Sequence, residues 1–393
     1  MHFLIIFLVF SIGCESKKTA DFIEPVPAEV FSPTLAEAAY QDGRVAYDRE
    51  DYAMALEQFF PAAEAGHIKA TTNLAWMYAL GQGVPQDNVK AVHWWRLAAE
   101  AGVPEAQHNL GWMYHDGKGV LKDDMEAIRW FTSAAEAGYR IAQLNLAAMY
   151  FNGEGGPKNF TKAVYWFTQA AESGDAKAQY NLGVMYDSGQ GVSKDDVEAV
   201  RWWRQAAEAG VSAAQNSLGW MYATGRGVPQ DDVEAVRWWR QAAEAGVSAA
   251  QNSLGWMSAT GRGVPQDDED SVYWYRKAAE AGNADAQYNI GVVYYEGKGV
   301  PRDDVEAVRW WRQAAEAGVP SAQSRLAVRY FNGQGVPQDD VQAHKWYSLA
   351  AVTATDNELK TFASKSRDVV TSRLSKDQLV EAKRLARKWI LNH

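Results

Sequence analysis

The sequence predicts an all-α protein, a solenoid of antiparallel helix hairpins, and three observations support this fold class. A phrase that reads Ala-Glu-Ala-Gly, or a close variant, recurs every 36 residues along most of the 393-residue chain. Each interval carries two segments whose apolar residues have helical spacing. Of the 17 Trp, eight occupy one slot of the second segment. A fixed period of this length is typical of repeat proteins, in which chain length counts repeats rather than domains.

The period is marked by the glycine that ends each phrase, at Gly66, Gly102, Gly138, Gly174, Gly210, Gly246, Gly282 and Gly318. These positions predict an N-terminal hairpin over residues 35–66 and eight 36-residue repeats over residues 67–354. Residues 211–246 and 247–282 agree at 29 of 36 positions, which indicates duplication within the chain.

Composition excludes several classes of protein. Apolar residues make up 47% of the chain and charged residues 22%, which excludes a disordered polyelectrolyte and a typical membrane protein. The net charge of −10 offers no basic footprint, so we expect no nucleic-acid partner. The single cysteine excludes an intramolecular disulfide framework and a zinc site built on cysteine pairs.

The N-terminus is interpreted as a signal peptide over residues 1–13. Residues 3–12 form an apolar run that is shorter than the roughly 20 residues of a bilayer-spanning helix and that suits a secretory signal. The run ends Ser11-Ile12-Gly13-Cys14, which resembles the lipobox of bacterial lipoproteins. An ordinary signal peptide followed by an incidental cysteine is the alternative, and it would leave a secreted or periplasmic soluble protein.

The lipobox resemblance implies that Cys14 carries a lipid and that the protein meets a membrane through this anchor only. Residues 14–34 would then form a flexible tether, since the stretch contains three prolines and shows no periodicity. Glu15 stands where Asp would signal retention in the inner membrane, so the resemblance implies an outer-membrane lipoprotein that faces the periplasm.

Each repeat predicts two helices, here named helix A and helix B, separated by a glycine-rich turn. In residues 103–138, Ala106, Leu110 and Met113 share one face of helix A. Asp123 precedes helix B and is suited to cap it, and Glu126, three residues later, predicts the return bond of a capping box. After the last repeat, residues 355–393 predict capping helices that close the array.

These residues resemble the Sel1-like repeat, a relative of the tetratricopeptide repeat. The matching pattern is A-Q-x-x-L-G-x-M-Y-x-x-G-x-G-V, followed by D-x-x-x-A-x-x-W-[WFY]-x-x-A-A-E-A-G. The hairpin at 35–66 has a shorter loop and is closer to a tetratricopeptide hairpin. The resemblance implies a right-handed superhelical α-solenoid in which the first helix of each hairpin lines the concave groove.

Two sets of repeat positions are interpreted as packing positions. Helix A often carries a glycine at one slot, which predicts close approach of a neighbouring helix: Gly111, Gly183, Gly219, Gly255 and Gly291. The first aromatic slot of helix B is always tryptophan, which predicts a core residue: Trp94, Trp130, Trp166, Trp202, Trp238, Trp274, Trp310 and Trp346. The second aromatic of each doublet, which is Trp95, Trp203, Trp239 or Trp311 in four repeats, is left open between core and surface.

Helix A also carries variable positions on a different face, and these are the candidate binding residues. Aromatic side chains there are suited to anchor a peptide or to stack on sugars. The candidates that would line the groove for a partner are Trp76, His108, Trp112, His115, Phe151, Tyr180, Trp220, Trp256, Tyr288, Tyr295 and Phe331. The alternative is that these side chains pack between adjacent repeats.

No motif predicts catalysis. The sequence has no H-E-x-x-H, P-loop, nucleophile elbow or dinucleotide fingerprint. The repeated Asp-Asp pairs are interpreted as helix caps, and His108 and His115 lie two turns apart, too far to hold one metal ion unaided. We therefore expect no enzyme activity, no cofactor and no metal.

The leading functional hypothesis is a protein–protein interaction scaffold of the bacterial cell envelope that binds a protein or peptide in the groove. A glycan-binding or polysaccharide-export envelope lipoprotein is the second hypothesis. A Sel1-type adaptor of the eukaryotic endoplasmic reticulum is the third, and the lipobox-like end and the near-identical repeats disfavour it.

Overall fold

The computed structural model describes residues 32–392, and these residues contain twenty helices and no strand. In chain order the helices are α1 (Pro33–Asp48), α2 (Tyr52–Glu64), α3 (Ile68–Leu80), α4 (Asn88–Glu100), α5 (Pro104–Asp116), α6 (Asp124–Glu136), α7 (Arg140–Asn152), α8 (Phe160–Glu172), α9 (Ala176–Ser188), α10 (Asp196–Glu208), α11 (Ser212–Thr224), α12 (Asp232–Glu244), α13 (Ser248–Thr260), α14 (Asp268–Glu280), α15 (Ala284–Glu296), α16 (Asp304–Glu316), α17 (Pro320–Asn332), α18 (Asp340–Thr353), α19 (Asn357–Thr371) and α20 (Lys376–Asn392).

From α3 to α18, the odd-numbered helices are the A helices and the even-numbered ones the B helices. The chain divides into two compact units, Met1–Ala206 and Ala207–His393, and within each unit the main helix contacts join sequence neighbours. Over residues 32–392, no helix combines the length and the apolar character that a bilayer span needs. Cys14, the predicted signal peptide and most of the predicted tether lie outside the described residues.

Each A helix ends at a glycine because the backbone there turns left-handed. Gly117, at the C-cap of α5, has φ 68° and its N–H bonds the Met113 carbonyl. Two residues later, Gly119 has φ 71° and lies against the preceding B helix, where a Cβ would be 2.2 Å from the Asn88 carbonyl oxygen. The second loop glycine therefore lets the turn of one repeat contact the first turn of the helix B before it.

An aspartate begins most B helices, as the sequence predicted, but the expected capping box is absent. Asp123 Oδ1 accepts the N–H groups of Met125 and Glu126, both at 3.0 Å. Glu126 instead accepts two bonds from Arg129, at 3.1 and 2.8 Å. The box prediction was wrong because the N–H of Asp123 already donates to the Tyr114 carbonyl at 2.9 Å, so the glutamate has no donor to reach back to.

The glycine slot of helix A receives the second aromatic of helix B in the same repeat. A Cβ on Gly219 would lie 2.5 Å from Cδ1 of Trp239, a buried and rigid ring. At this distance Trp239 Nε1 donates to the Asn216 carbonyl at 3.2 Å. The predicted close approach of a neighbouring helix is confirmed, and its partner is the ring of the second aromatic.

Both members of the tryptophan doublets are core residues. The eight at the first slot are all buried, which confirms that prediction. The second members, which the sequence left open, are buried as well: Trp95, Trp203, Trp239 and Trp311. Three of these donate Nε1 to a helix-A carbonyl across from a glycine. In the repeat of Trp95 the glycine slot is Ala75, and the buried Nε1 of Trp95 has no hydrogen-bond partner.

A buried glutamine connects one repeat to the next. Gln107 Nε2 on α5 donates to the Ala99 carbonyl at the end of α4, at 3.1 Å. The same bond recurs along the array from Gln143, Gln179, Gln215, Gln251, Gln287 and Gln323. Each of these carbonyls also accepts a backbone N–H from the turn that ends helix B, as Ala99 does from Gly102 at 3.0 Å. The glutamine adds a second, side-chain bond from the next helix A, and so it helps to fix the register between hairpins.

The last two helices pack on the final repeat. Ser375 and Gln378 cap α20 reciprocally, with Gln378 N–H donating to Ser375 Oγ at 3.2 Å and Ser375 N–H donating to Gln378 Oε1 at 2.9 Å. Trp389 of α20 packs against the core of the final repeats. These contacts cover the end of the array.

Candidate functional site

The candidate site is the variable face of the A helices, and the structure gives its residues very different exposures. Trp220 and Trp256 are the most open, with 36% and 40% of their surface exposed. His108 and Phe151 are buried, so they support neighbouring side chains and offer little surface to a partner. The other seven predicted residues are half-buried: Trp76, Trp112, His115, Tyr180, Tyr288, Tyr295 and Phe331.

In the first unit, side chains of the A helices border two separate recesses. One cavity is bordered by α5, α7 and α9, through side chains that include Trp112, Asn145 and Asn181. An open cleft of about 420 Å³ lies between α1 and α3, bordered by Tyr40, Arg44 and Trp76 among others. Of the predicted residues, Trp112 and His115 border the first cavity, which holds about 30 Å³, and Trp76 borders the larger cleft.

His108 is the centre of a buried polar cluster in the first unit. Its Nε2 accepts a bond from Trp112 Nε1 at 3.0 Å and lies 2.9 Å from Asn145 Nδ2 on the next A helix. Burial lowers the pKa of His108 to about 4, so the imidazole is neutral at pH 7 and Nε2 can accept. The ring thereby holds the Trp112 indole in place at the edge of the cavity.

His115 contacts both Trp112 and the start of helix α6. Its Nδ1 lies 2.8 Å from Asp124 Oδ1 at the start of α6, and its ring packs against Trp112 with centroids 5.2 Å apart. The two histidines thus both contact Trp112 but bond different partners, His108 with Asn145 and His115 with Asp124. Among residues 32–392, no group of three or more His, Cys, Asp or Glu could hold a metal ion.

In the second unit each exposed tryptophan has a guanidinium over its ring. Arg226 Cζ lies 4.8 Å from the Trp220 ring and Arg262 Cζ lies 4.9 Å from the Trp256 ring. Arg262 is itself oriented by Asp232, with bonds of 2.9 and 2.7 Å to the two carboxylate oxygens. These arginines come from the turn after helix A, and sequence reasoning missed them because it read the turn only for its glycines.

The last repeats vary the same arrangement with other aromatics. Arg302 lies 5.0 Å from the Tyr295 ring, and Arg373, in the turn between α19 and α20, lies 4.5 Å from the Phe331 ring. Tyr288 contributes its backbone, since its carbonyl accepts Trp311 Nε1 at 3.1 Å. The face in this unit is a row of aromatic rings with cations on them.

Comparison with known protein families identifies the repeats of this chain. Eight consecutive Sel1 repeats match the chain, at residues 68–103, 104–139, 140–175, 176–211, 212–247, 248–283, 284–319 and 320–351. The chain belongs to the Sel1 repeat family. The prediction of Sel1-like repeats is confirmed, and so is that of an α-solenoid.

Two solved structures of the family's fold are similar along most of their length. A Sel1 repeat protein from Oxalobacter formigenes is 31% identical, covers 88% of this chain and 97% of its own, and superposes with a TM-score of 0.64. A protective antigen present in uropathogenic Escherichia coli strains is also 31% identical, with coverage of 90% and 91% and a TM-score of 0.61. No match is found among the curated proteins.

Sel1 repeat proteins generally mediate protein–protein interaction, and the scaffold is typically non-catalytic. The Asp-Asp pairs fit that character, since their side chains cap B helices or pair with arginines of the preceding or following turn. The A-helix face is the surface on which this Sel1 repeat protein varies most from repeat to repeat.

Proposed function

We propose that this Sel1 repeat protein is a non-enzymatic interaction scaffold of the bacterial cell envelope, which binds an extended protein segment along its A helices. The observation that carries the proposal is the pair Trp220 and Trp256, which occupy the same slot of successive A helices and are the most exposed tryptophans among the predicted residues. Large aromatic anchors of this kind dominate the binding energy of protein interfaces.

The guanidinium groups over the two indoles favour a protein partner over a glycan. A sugar ring stacks on the flat face of an aromatic side chain, and here Arg226 and Arg262 occupy one face of each ring. Backbone carbonyls and carboxylates of a peptide are instead suited to accept bonds from these arginines. Glycan binding is the second candidate, because both indoles are partly exposed and an exposed aromatic ring is suited to stack on a sugar.

The test is capture of partners from detergent-solubilised envelope. The Trp220→Ala/Trp256→Ala double variant should lose the partners that the wild type retains, because each truncation removes an anchor that is typically worth about 2 kcal/mol or more. Tyr273→Ala is the matched control, since Tyr273 is an exposed aromatic on helix B of the same unit. Identical partner sets for the double variant and the wild type would refute partner binding through these tryptophans. If the double variant lost binding only on a glycan array, the result would favour a glycan ligand.

The cell-envelope part of the proposal rests on the sequence Ser11-Ile12-Gly13-Cys14 after the apolar run. We propose that Cys14 is lipidated, that the anchor lies in the outer membrane, and that the repeats face the periplasm. Bacterial lipoproteins carry more than one acyl chain, and two chains suffice for stable anchoring where one does not.

Cys14→Ala should move the protein from the membrane fraction to the soluble periplasmic fraction, because the variant has no acyl chain to bury. Fractionation after expression in a Gram-negative host measures this, with Cys14→Ala/Trp220→Ala showing that release is independent of partner binding. A variant that stays in the membrane pellet would contradict lipidation at Cys14.

A further inference from the structure

Repeat eight departs from the other repeats at two positions one turn apart on α17, Arg325 and Arg329. The slot of Arg325 is polar and uncharged elsewhere: Asn73, Asn109, Asn145, Asn181, Ser217, Ser253 and Asn289. The slot of Arg329 is apolar elsewhere: Met77, Met113, Met149, Met185, Met221, Met257 and Val293. Two cations thus replace two neutral side chains at one place on the A-helix face.

Arg329 is a buried cation without a carboxylate. Only 4% of its surface is exposed, and its Cζ lies 4.2 Å from the Tyr295 ring and 5.5 Å from the Trp311 ring. One terminal nitrogen donates to Gln334 Oε1, and the buried Nε has no partner. Among residues 32–392 no carboxylate pairs with Arg329 or Arg325.

The surroundings add charge of the same sign. Arg302 lies 5.0 Å from the Tyr295 ring, and Arg325 Cζ lies 5.9 Å from the Trp311 ring. Arg302 alone of the three has an acidic partner, Asp304, at 3.1 and 3.2 Å. The pKa of Tyr295 lies below its ordinary value because Arg329 bonds the phenol oxygen and the charges of Arg329, Arg302 and Arg325 favour the phenolate. Tyr295, Arg302, Arg325 and Arg329 are here called the Tyr295 cluster.

Folding alone gives no reason for this cluster. A buried charge without a counter-ion is unfavourable, and like charges one turn apart on a helix repel. Methionine at the same slot packs without either cost in six other repeats. The cluster is also a local excess of positive charge in a chain of net charge −10. An anion that enters the cluster would supply the counter-charge that the chain itself lacks.

We propose that the Tyr295 cluster binds a carboxylate of an acidic peptide segment, which lies along the A helices of the second unit. This deepens the function proposed above and rests on it, since it names the chemistry of the partner at one end of that face. Guanidinium groups bind carboxylates with two parallel hydrogen bonds. The exposed Arg325 would contact the peptide carboxylate first, and the buried Arg329 would add a second positive charge while it packs on the Tyr295 ring. The carboxylate belongs either to Asp or Glu side chains or to a C-terminus.

The probe is a labelled Glu-rich peptide, and its Gln-for-Glu counterpart is the control peptide, each made with a free and with an amidated C-terminus. The wild type should bind the Glu-rich peptide, and the affinity should fall as salt rises. Arg325→Gln and Arg329→Met should each weaken binding by about tenfold, as expected for loss of one charge-assisted pair. Amidation that abolishes binding would assign the carboxylate to the C-terminus, and binding that survives amidation would assign it to side chains.

Arg329→Met also controls for damage to the fold, because it restores the side chain of the other repeats and should raise the melting temperature. Arg309→Gln is the matched arginine control, since Arg309 stacks on Trp310 at 4.5 Å but already pairs with Glu306. Wild-type affinity in both cluster variants, or undiminished binding of the amidated Gln peptide, which carries no carboxylate, would overturn the inference.

The envelope capture described above separates the two proposals. Loss of partners in Trp220→Ala/Trp256→Ala with full retention in Arg325→Gln and Arg329→Met would leave the scaffold function standing and refute the acidic site. Loss in both sets supports both proposals. Retention in the tryptophan variant would refute the scaffold function through this face, whatever the peptide does at the cluster.

Discussion

His108 shows how one side chain connects the packing of the repeats to the exposed surface. Its Nε2 accepts from Trp112 and lies within bonding distance of Asn145, and burial keeps it neutral. In the folded protein the pKa of the His108 imidazole is thus lowered to about 4 from the ordinary 6.5. Protonation removes the acceptor that holds Trp112 and places a charge in the interior.

We predict a specific acid sensitivity at this residue. The unfolded chain takes up a proton near pH 6.5 and the folded one only near pH 4, so stability is complete above pH 6.5 and is lost as pH falls toward 4. His108→Asn should remove this loss, which amounts to about 3 kcal/mol for a depression of this size. Urea unfolding of the two proteins at pH 7 and at pH 4 measures the difference.

Asparagine is the matched replacement, since Asn252 occupies the same slot in repeat six and accepts from Asn289 at 3.0 Å. General acid unfolding through carboxylates affects both proteins equally and cancels in the comparison. Parallel loss of stability in wild type and variant would contradict a neutral, buried His108.

Sequence alone identified the slots of the variable face but not which of them are exposed. His108 and Trp220 were equal candidates, yet His108 is covered by the Tyr139 ring at 5.3 Å and by Asn145 of the following A helix. The exposure of a side chain on this face depends on which side chains the next repeat places over it. The consensus pattern of one repeat does not give that information. Arg329 escaped notice for a related reason, because its slot was classed as core from the methionines elsewhere.

At the level of the helix, the start of helix B depends on one aspartate more than on the pair. Asp231 Oδ1 accepts from the N–H groups of Val233 and Glu234 at 3.0 Å each, while Glu234 only pairs with the half-exposed Arg237. Helix positions and turns were predictable because their signals are local. The return bond from glutamate was not, since the N–H it needed is bonded to the preceding A helix.

The two acidic residues of α12 should therefore differ in their effect on stability. Asp231→Ala should lower the free energy of unfolding by about 1 kcal/mol, the usual effect of losing an N-cap. Glu234→Ala should cost less, about 0.5 kcal/mol or under, because a surface ion pair contributes little. Denaturant titration of both variants measures the two free energies of unfolding. Equal losses would contradict the prediction and indicate that Glu234 also caps α12.

For the molecule as a whole, most helix contacts join helices that are adjacent in sequence, so a whole repeat can be added or removed with little effect on distant repeats. The main packing joins sequence neighbours, so stability sums over hairpins and their shared faces. The helix-B sequence of α10 is identical to that of α12, including the three residues that follow each helix. Removal of residues 212–247 would join Val211 to Ser248, which reproduces the sequence that now precedes α13.

We predict that the protein without residues 212–247 folds. Its helical circular dichroism per residue should match that of the wild type, with a cooperative melt, because the new junction repeats a native one. Deletion of residues 212–231 is the control. It removes fewer residues but leaves α12 without its helix A, so Trp239 loses the glycine surface it packs on. A long deletion that unfolds as readily as the short one would contradict a modular array.

The near-identity of residues 211–246 and 247–282 has a consequence for how this protein changes over generations. Recombination between the two copies inserts or removes a whole repeat in frame, and each event adds or removes one exposed tryptophan together with its arginine. The variable A-helix face can therefore gain or lose one repeat in a single genetic step. The proposed anchor at Cys14 and the Tyr295 cluster lie outside the duplicated residues, so neither is altered by such an event.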